Sequence, residues 1–162
     1  MQNGKVTMSL NLNKKPYLRL ANEEDCHYLS YNLREADYRE IKAVTGLPPL
    51  MCLLHGLRAS KVPFVICYYD IPVAMLGVVP NGLIGNIWMV GTKELKSISL
   101  SFLRESKKVF PILKSNFQII HNYVDARNEL HIRWLKWMDF SFIKKHENYG
   151  VEQKPFYEFI KI

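Results

Sequence analysis

The sequence has no run of about 18 apolar residues, and so offers no membrane-spanning helix. Its opening stretch, MQNGKVTMSLNLNKK, lacks the apolar centre of a signal peptide and reads as a loose polar arm over residues 1–15. Cysteine is scarce. Cys26, Cys52 and Cys67 are odd in number and form no CxxC pair, which argues against a disulfide framework and for buried, reduced thiols in a cytosolic setting. None of the five histidines stands at ligand spacing from a second one, so no metal is expected. Internal repeats and low-complexity segments are absent. So are helix-turn-helix, zinc-finger and RNA-recognition signatures, which makes nucleic acid an unlikely partner on motif grounds.

What is there suits one folded unit over 16–162. Of the 162 residues 48% are hydrophobic and 12% aromatic, enough for a packed core and unlike a disordered chain. The formal net charge is +7 and unevenly spread. Residues 91–145 hold 11 Lys and Arg against 5 Asp and Glu, whereas residues 23–40 hold 6 acids against Arg34 and Arg39. A basic half of this kind suits nucleic acid, a phosphorylated cofactor or an acidic protein, and equally a solvated face.

The chain order alternates strands and helices. YLRL (17–20) reads as a short strand, and Glu23, Glu24 and Asp25 start a helix with acids in its first turn. A second helix is expected over 35–45, stopped by Gly46, and a third over 50–60. VPFVICYY (62–69), VAMLGVV (73–79) and LIGNIWMV (83–90) read as three strands in a meander, with turns at Asp70–Pro72 and Pro80–Gly82. Leu95, Ile98, Phe102, Val109 and Leu113 make a helical stripe that Pro111 is expected to end or kink. FQIIHNYVD (117–125) is the next strand, and FSFI (140–143) and PFYEFIKI (155–162) are the last two. Helices interrupting a mixed sheet imply a layered α/β domain.

The stretch VDARNELHIRWLKWMDF (124–140) joins a strand to a helix capped by Asn128. Leu130, Trp134, Trp137 and Met138 share a face at three- and four-residue steps, so the bland reading is a core helix with a basic edge. Arg127 and Arg133 stand near its start, placed to pair with Asp125 and Glu129 or to bind an anion.

This order resembles the GNAT acyltransferase fold, an α/β arrangement with a central mixed, mostly antiparallel sheet flanked by helices. In that family a meander leads to a strand and helix that bind acyl-CoA, and a second strand and helix carry an asparagine followed by Gly-Phe. Here Asn128 and Asp139-Phe140 take those places. LREADYREI (33–41), IPVAMLGV (71–78), IWMVGTKEL (87–95), FLRESKKV (102–109) and NYVDARNELHIRWLKWMDF (122–140) together resemble the internal virion protein A family of short-tailed phages, whose members are described as GNAT-like. The resemblance spans about residues 17–161. It implies virion or assembly proteins as partners, and a location in the host cytoplasm during infection or in the virion interior.

The resemblance also assigns roles. Acetyl-CoA, where used, would lie along Met89, Val90, Gly91, Thr92 and Lys93, with Asn128 and Arg133 from the second unit. Backbone N–H groups at a helix start suit its pyrophosphate. The enzymes carry Gln/Arg-x-x-Gly-x-Gly/Ala at this junction; MVGTKELKS has one glycine, and an ordinary turn capped by Thr92 explains it as well. Leu135 stands where the enzymes often have an acidic tyrosine. His121 and Asp125, on one face of a strand at period two, with Tyr123 between them, are the candidate catalytic groups. Two functions follow: a GNAT-shaped virion or morphogenesis protein with a degenerate acyl-CoA site, or an active N-acetyltransferase acting on a host or phage amine.

Overall fold

The computed structural model describes residues 15–162, so the expected N-terminal arm lies outside it apart from Lys15. The chain opens with β1 (Tyr17–Leu20), α1 (Glu23–Asn32), α2 (Glu35–Thr45) and α3 (Pro49–Ala59). The meander follows as β2 (Phe64–Tyr68), β3 (Ile71–Asn81) and β4 (Ile84–Gly91). A 3-10 turn at Lys93–Lys96 leads into α4 (Ser99–Lys114), then β5 (Ile119–Asp125), α5 (Glu129–Trp137), β6 (Ser141–Tyr149) and β7 (Lys154–Lys161). The strands form one sheet in the order β1-β2-β3-β4-β5-β7-β6. Every neighbouring pair is antiparallel except β4 with β5.

Local chemistry sets the helix ends. Asn22 caps α1 in a capping box with Asp25, and the three first-turn acids meet the positive end of the helix. Gly46 stops α2 at φ 66, and Pro49 opens α3 where its missing N–H costs nothing. Asp139 sits at φ 58 just after α5, the left-handed position that explains why the resembling enzymes have glycine there.

Three expectations need correction. Pro111 does not end α4, which runs on to Lys114. It lies on the exposed face, where the carbonyl it leaves without a partner meets water. Trp137 is 46% exposed, with the Lys107 ammonium 4.1 Å from its ring centre, so it belongs to the basic surface and not to the core. The strand expected over 140–143 extends to Tyr149, and its tail KKHENY lacks an apolar alternation because β6 is an exposed edge.

The sheet separates two cores. Ile66, Leu76, Ile87, Phe102, Trp134 and Phe159 pack on the α4–α5 face. Cys26, Leu29, Leu53, Met75 and Val90 pack on the face covered by α1 and α3, with Trp88 against them. Among the described residues no helix is long and apolar enough to cross a membrane.

The β6–β7 hairpin clasps the C-terminal end of α2. Val151 and Glu152 donate N–H bonds to the carbonyls of Val44 (3.3 Å) and Ala43 (3.0 Å). Gly150 makes this approach possible: its φ is 71, and a Cβ there would meet the Ala43 carbonyl. Gly150→Ala is expected to lower stability by about 1–3 kcal/mol through strain and a loosened α2, measured by urea unfolding.

Candidate functional site

The β4–β5 pair is short. Ile84–Asn86 pair with Ile119–His121, after which the strands run on to Gly91 and Asp125 without a ladder between them. The result is a fork in the middle of the sheet. Thr92 donates to the Val73 carbonyl at 2.9 Å, which fixes the parity of β4: even residues address β3, and Ile87, Met89 and Gly91 address the fork. The Ile87 carbonyl accepts from Asn122 Nδ2 at 2.7 Å. Gly91 N–H donates to Asp37 at 2.8 Å, and its carbonyl accepts from Arg34 N–H at 2.9 Å. Met89, between them, has no partner on that side among the described residues.

A cavity of about 350 Å³ occupies the fork. Glu40, Leu53 and Trp88 line it from the α2–α3 side, and His131, Trp134 and Leu135 from the α5 side. It therefore reaches both faces of the sheet.

At its floor lies Asp37, 1% exposed. A carboxylate this deep needs a full set of donors. Arg34, one turn earlier, supplies two, from Nε at 3.0 Å and Nη2 at 2.7 Å. Gly91 N–H supplies the third and Asn128 Nδ2 the fourth, at 3.1 Å. Asn128 Oδ1 accepts from His131 N–H at 3.4 Å, capping α5, and from Arg34 Nη2 at 3.3 Å. One side chain thus ties the start of α2, the end of β4 and the start of α5.

Glu40 is the next acid along the same face of α2. Its Oε2 accepts from Asn128 Nδ2 at 2.8 Å and from Asp125 N–H at 3.3 Å. Burial, reinforced by the charge of Asp37 and opposed by the Asn128 hydrogen bond, pushes its carboxyl up to about 8. It is 19% exposed, and it faces the cavity. His131 lies close to both acids, with Nε2 3.5 Å from Asp37 and Nδ1 4.0 Å from Glu40. Burial lowers its pKa despite Asp37, and Arg34 adds to the effect.

The residues singled out from sequence are dispersed. Asp125 is buried and held by Arg127 through the backbone N–H (2.9 Å), Nε (3.0 Å) and Nη2 (2.7 Å), and it does not line the cavity. His121 donates from Nε2 to Glu158 at 2.8 Å and accepts at Nδ1 from Asn86 at 3.3 Å. His146 Nε2 meets the other Glu158 oxygen at 2.8 Å, and these two imidazoles hold the Glu158 carboxyl low. Tyr123 does line the cavity, stacked on Tyr149 at 4.4 Å. Met89 and Val90 line it too, from opposite faces of the sheet. Thr92 starts the 3-10 turn without a side-chain cap bond, Lys93 and Arg133 are exposed, and Asn128 joins the Asp37 cluster. Arg34, Asp37 and Glu40 were not picked out from sequence. The signal for them is spacing: Asp37, Glu40, Ile41 and Val44 follow at three- and four-residue steps, which puts two acids on the inward stripe of a helix.

Glu40 gives the site a pH signature. Its folded pKa lies above the roughly 4.3 of an unfolded glutamate, so the folded state binds more protons between the two values. Its contribution to stability is complete below about pH 4 and is lost as pH rises toward 8. Glu40→Gln keeps an acceptor for Asn128 and Asp125, and is expected to remove this part of the fall. Thermal unfolding at pH 5 and pH 8, compared between the two proteins, measures it.

No family model matches the sequence, and no curated protein matches it. Solved structures do. An acetyltransferase of the GNAT family from Streptococcus pneumoniae is 14% identical, with TM-score 0.60 over 91% of this chain and 99% of that one. Ard1 from Thermoplasma volcanium is 15% identical, with TM-score 0.65 over 91% and 97%. AAC(6')-Ib in complex with Ribostamycin and Coenzyme A is 14% identical, with TM-score 0.62 over 91% and 93%. At these identities the likeness concerns architecture, and it shows that this chain has the GNAT acetyltransferase fold, a mixed seven-stranded sheet flanked by helices.

Proposed function

We propose that the chain is a phage protein that uses the GNAT frame for a structural role in the virion or its assembly, without a working cradle for acyl-CoA. The phage assignment rests on the five segments of sequence resemblance. The loss of the cradle rests on the Gly91–Thr92 turn. A pyrophosphate needs unpaired N–H groups at the start of a helix. Here Gly91 N–H is bonded to the Asp37 carboxylate and Thr92 N–H to the Val73 carbonyl. The N–H groups of Leu95 and Ser97 close 3-10 turns onto Thr92 and Glu94. That extra turn also moves the start of α4 to Ser99, away from the end of β4. These four donors are therefore closed to a pyrophosphate, which supports the reading of a degenerate site. On this reading the protein acts in the host cytoplasm during infection and passes to the virion interior with its assembly partners.

A second reading, acetyl transfer to a host or phage amine, is favoured by Glu40. A carboxyl poised near 8 in the fork cavity is placed to take a proton from an amine.

Calorimetric titration with acetyl-CoA at moderate salt separates the two, with adenosine 3′,5′-bisphosphate as the control for general anion binding. The first reading predicts no saturable binding up to about 1 mM. Saturable acetyl-CoA binding that the bisphosphate does not reproduce contradicts it.

A further inference from the structure

The outer surface of α4 and α5 carries cations that the chain itself does not answer. Arg19, Arg34, Arg39, Arg58 and Arg127 each hold a carboxylate within an ion pair. Arg104 and Arg133 form none among the described residues, and both are exposed. They stand on neighbouring helices. Phe102 lies against Trp134 and Lys107 against Trp137, so α4 and α5 run side by side in one direction. Lys107 and Lys136 are exposed on the same two helices and also lack a carboxylate partner among the described residues. The nearby acids do not offset this charge. Glu105 is taken by Lys108 at 2.7 Å, and Glu129 and Asp139 flank the two ends of α5.

A second observation says what kind of anion fits. Trp137 is 46% exposed, and Lys107 Nζ lies 4.1 Å from its ring centre. Arg104 is one turn before Lys107 on α4, and Arg133 is one turn before Trp137 on α5, so a flat indole stands among cations. An acidic peptide answers the cations and gains nothing from the ring. A nucleic acid strand answers both, with phosphates for the cations and a base for the indole. Stacking needs a base free of its pair, so the strand is single. The exposed cation–π contact is weaker than base stacking, and the Lys107 ammonium can leave the ring to a base and take the adjoining phosphate. Such a platform reads no sequence, so the lack of sequence-reading motifs does not bear on it.

We infer that the α4–α5 surface around Trp137 binds single-stranded nucleic acid without regard to sequence, by stacking on Trp137 and by phosphate contacts from Arg104, Lys107, Arg133 and Lys136. Trp137 ends α5, about 13 Å along the helix from the Asn128 cap, so the platform is separate from the Gly91–Thr92 turn and the fork.

Fluorescence anisotropy of the full chain with a labelled oligothymidylate of about 12 nucleotides tests this. The expected result is saturable binding at about 50 mM salt that weakens steeply as salt rises. An abasic oligomer of the same length keeps the phosphates and lacks the bases; it is expected to bind at least about tenfold more weakly. Trp137→Ala is expected to weaken the oligothymidylate about tenfold, and Trp137→Phe, which keeps a stacking face, by less than about threefold. Arg104→Gln leaves the ring in place and is expected to lower the slope of log affinity against log salt by about 0.7. Adenosine 3′,5′-bisphosphate, too short to span the platform, is expected not to displace the oligomer at about 1 mM. No binding at about 50 mM salt overturns the inference. So does equal binding of the abasic oligomer or of an oligoglutamate of the same charge, which would mark a surface for acidic partners. Displacement by the bisphosphate also overturns it, since binding would then lie in a nucleotide pocket.

Discussion

The Asp37 carboxylate is the contact on which the rest of the site depends. It is buried, so it persists only with its donors in place, and those donors come from the start of its own helix and from two elements distant in sequence. Arg34 supplies the compensating charge from the same helix. Asn128 supplies an amide from the far side of the fork, and Gly91 the backbone N–H at the end of β4. A hydrophobic contact would tolerate sliding of α2 over the sheet; this set of directed bonds does not. The arrangement also decides the chemistry of the turn, because a donor bonded to a buried carboxylate is closed to an incoming phosphate.

Two other features make that geometry durable. The β6–β7 hairpin bonds to the last carbonyls of α2, so the helix that carries Asp37 and Glu40 is held at both ends. Trp88 packs over Gly56 of α3 and donates its indole N–H to Ser60 at 2.8 Å, fixing one wall of the cavity. Trp134 forms the opposite wall without such a bond. The cavity wall is therefore hydrogen-bonded on the α3 side and polar but unanswered on the α5 side.

Much of the fold was legible in the sequence because its signals are local. The meander from Phe64 to Gly91 shows as apolar runs between turn residues, and the start of α5 as Asn128 ahead of an apolar stripe. β6 was shortened because an exposed edge strand carries polar residues that read as a loop. The functional cluster was the least legible part. Asp37 and Glu40 sit in an acidic, apparently solvated helix, and only the distant approach of Gly91 and Asn128 turns them into buried groups. Asp125 could be read in two ways, as a catalytic group or as the partner of Arg127, and the second holds: Arg127, two residues on, folds back onto it. Pairings across about 90 residues, such as Asp37 with Asn128, have no signature in one sequence.

Amide hydrogen exchange at Gly91, followed by NMR in the wild-type protein and in Asp37→Ala, tests the central claim most directly. The account predicts a Gly91 amide protected in the wild type and exchanging at least about tenfold faster in the variant, with Val90, bonded into the β3–β4 ladder, still protected. Equal exchange at Gly91 in both proteins would show that Asp37 does not hold that donor, and the closed turn would lose its physical basis.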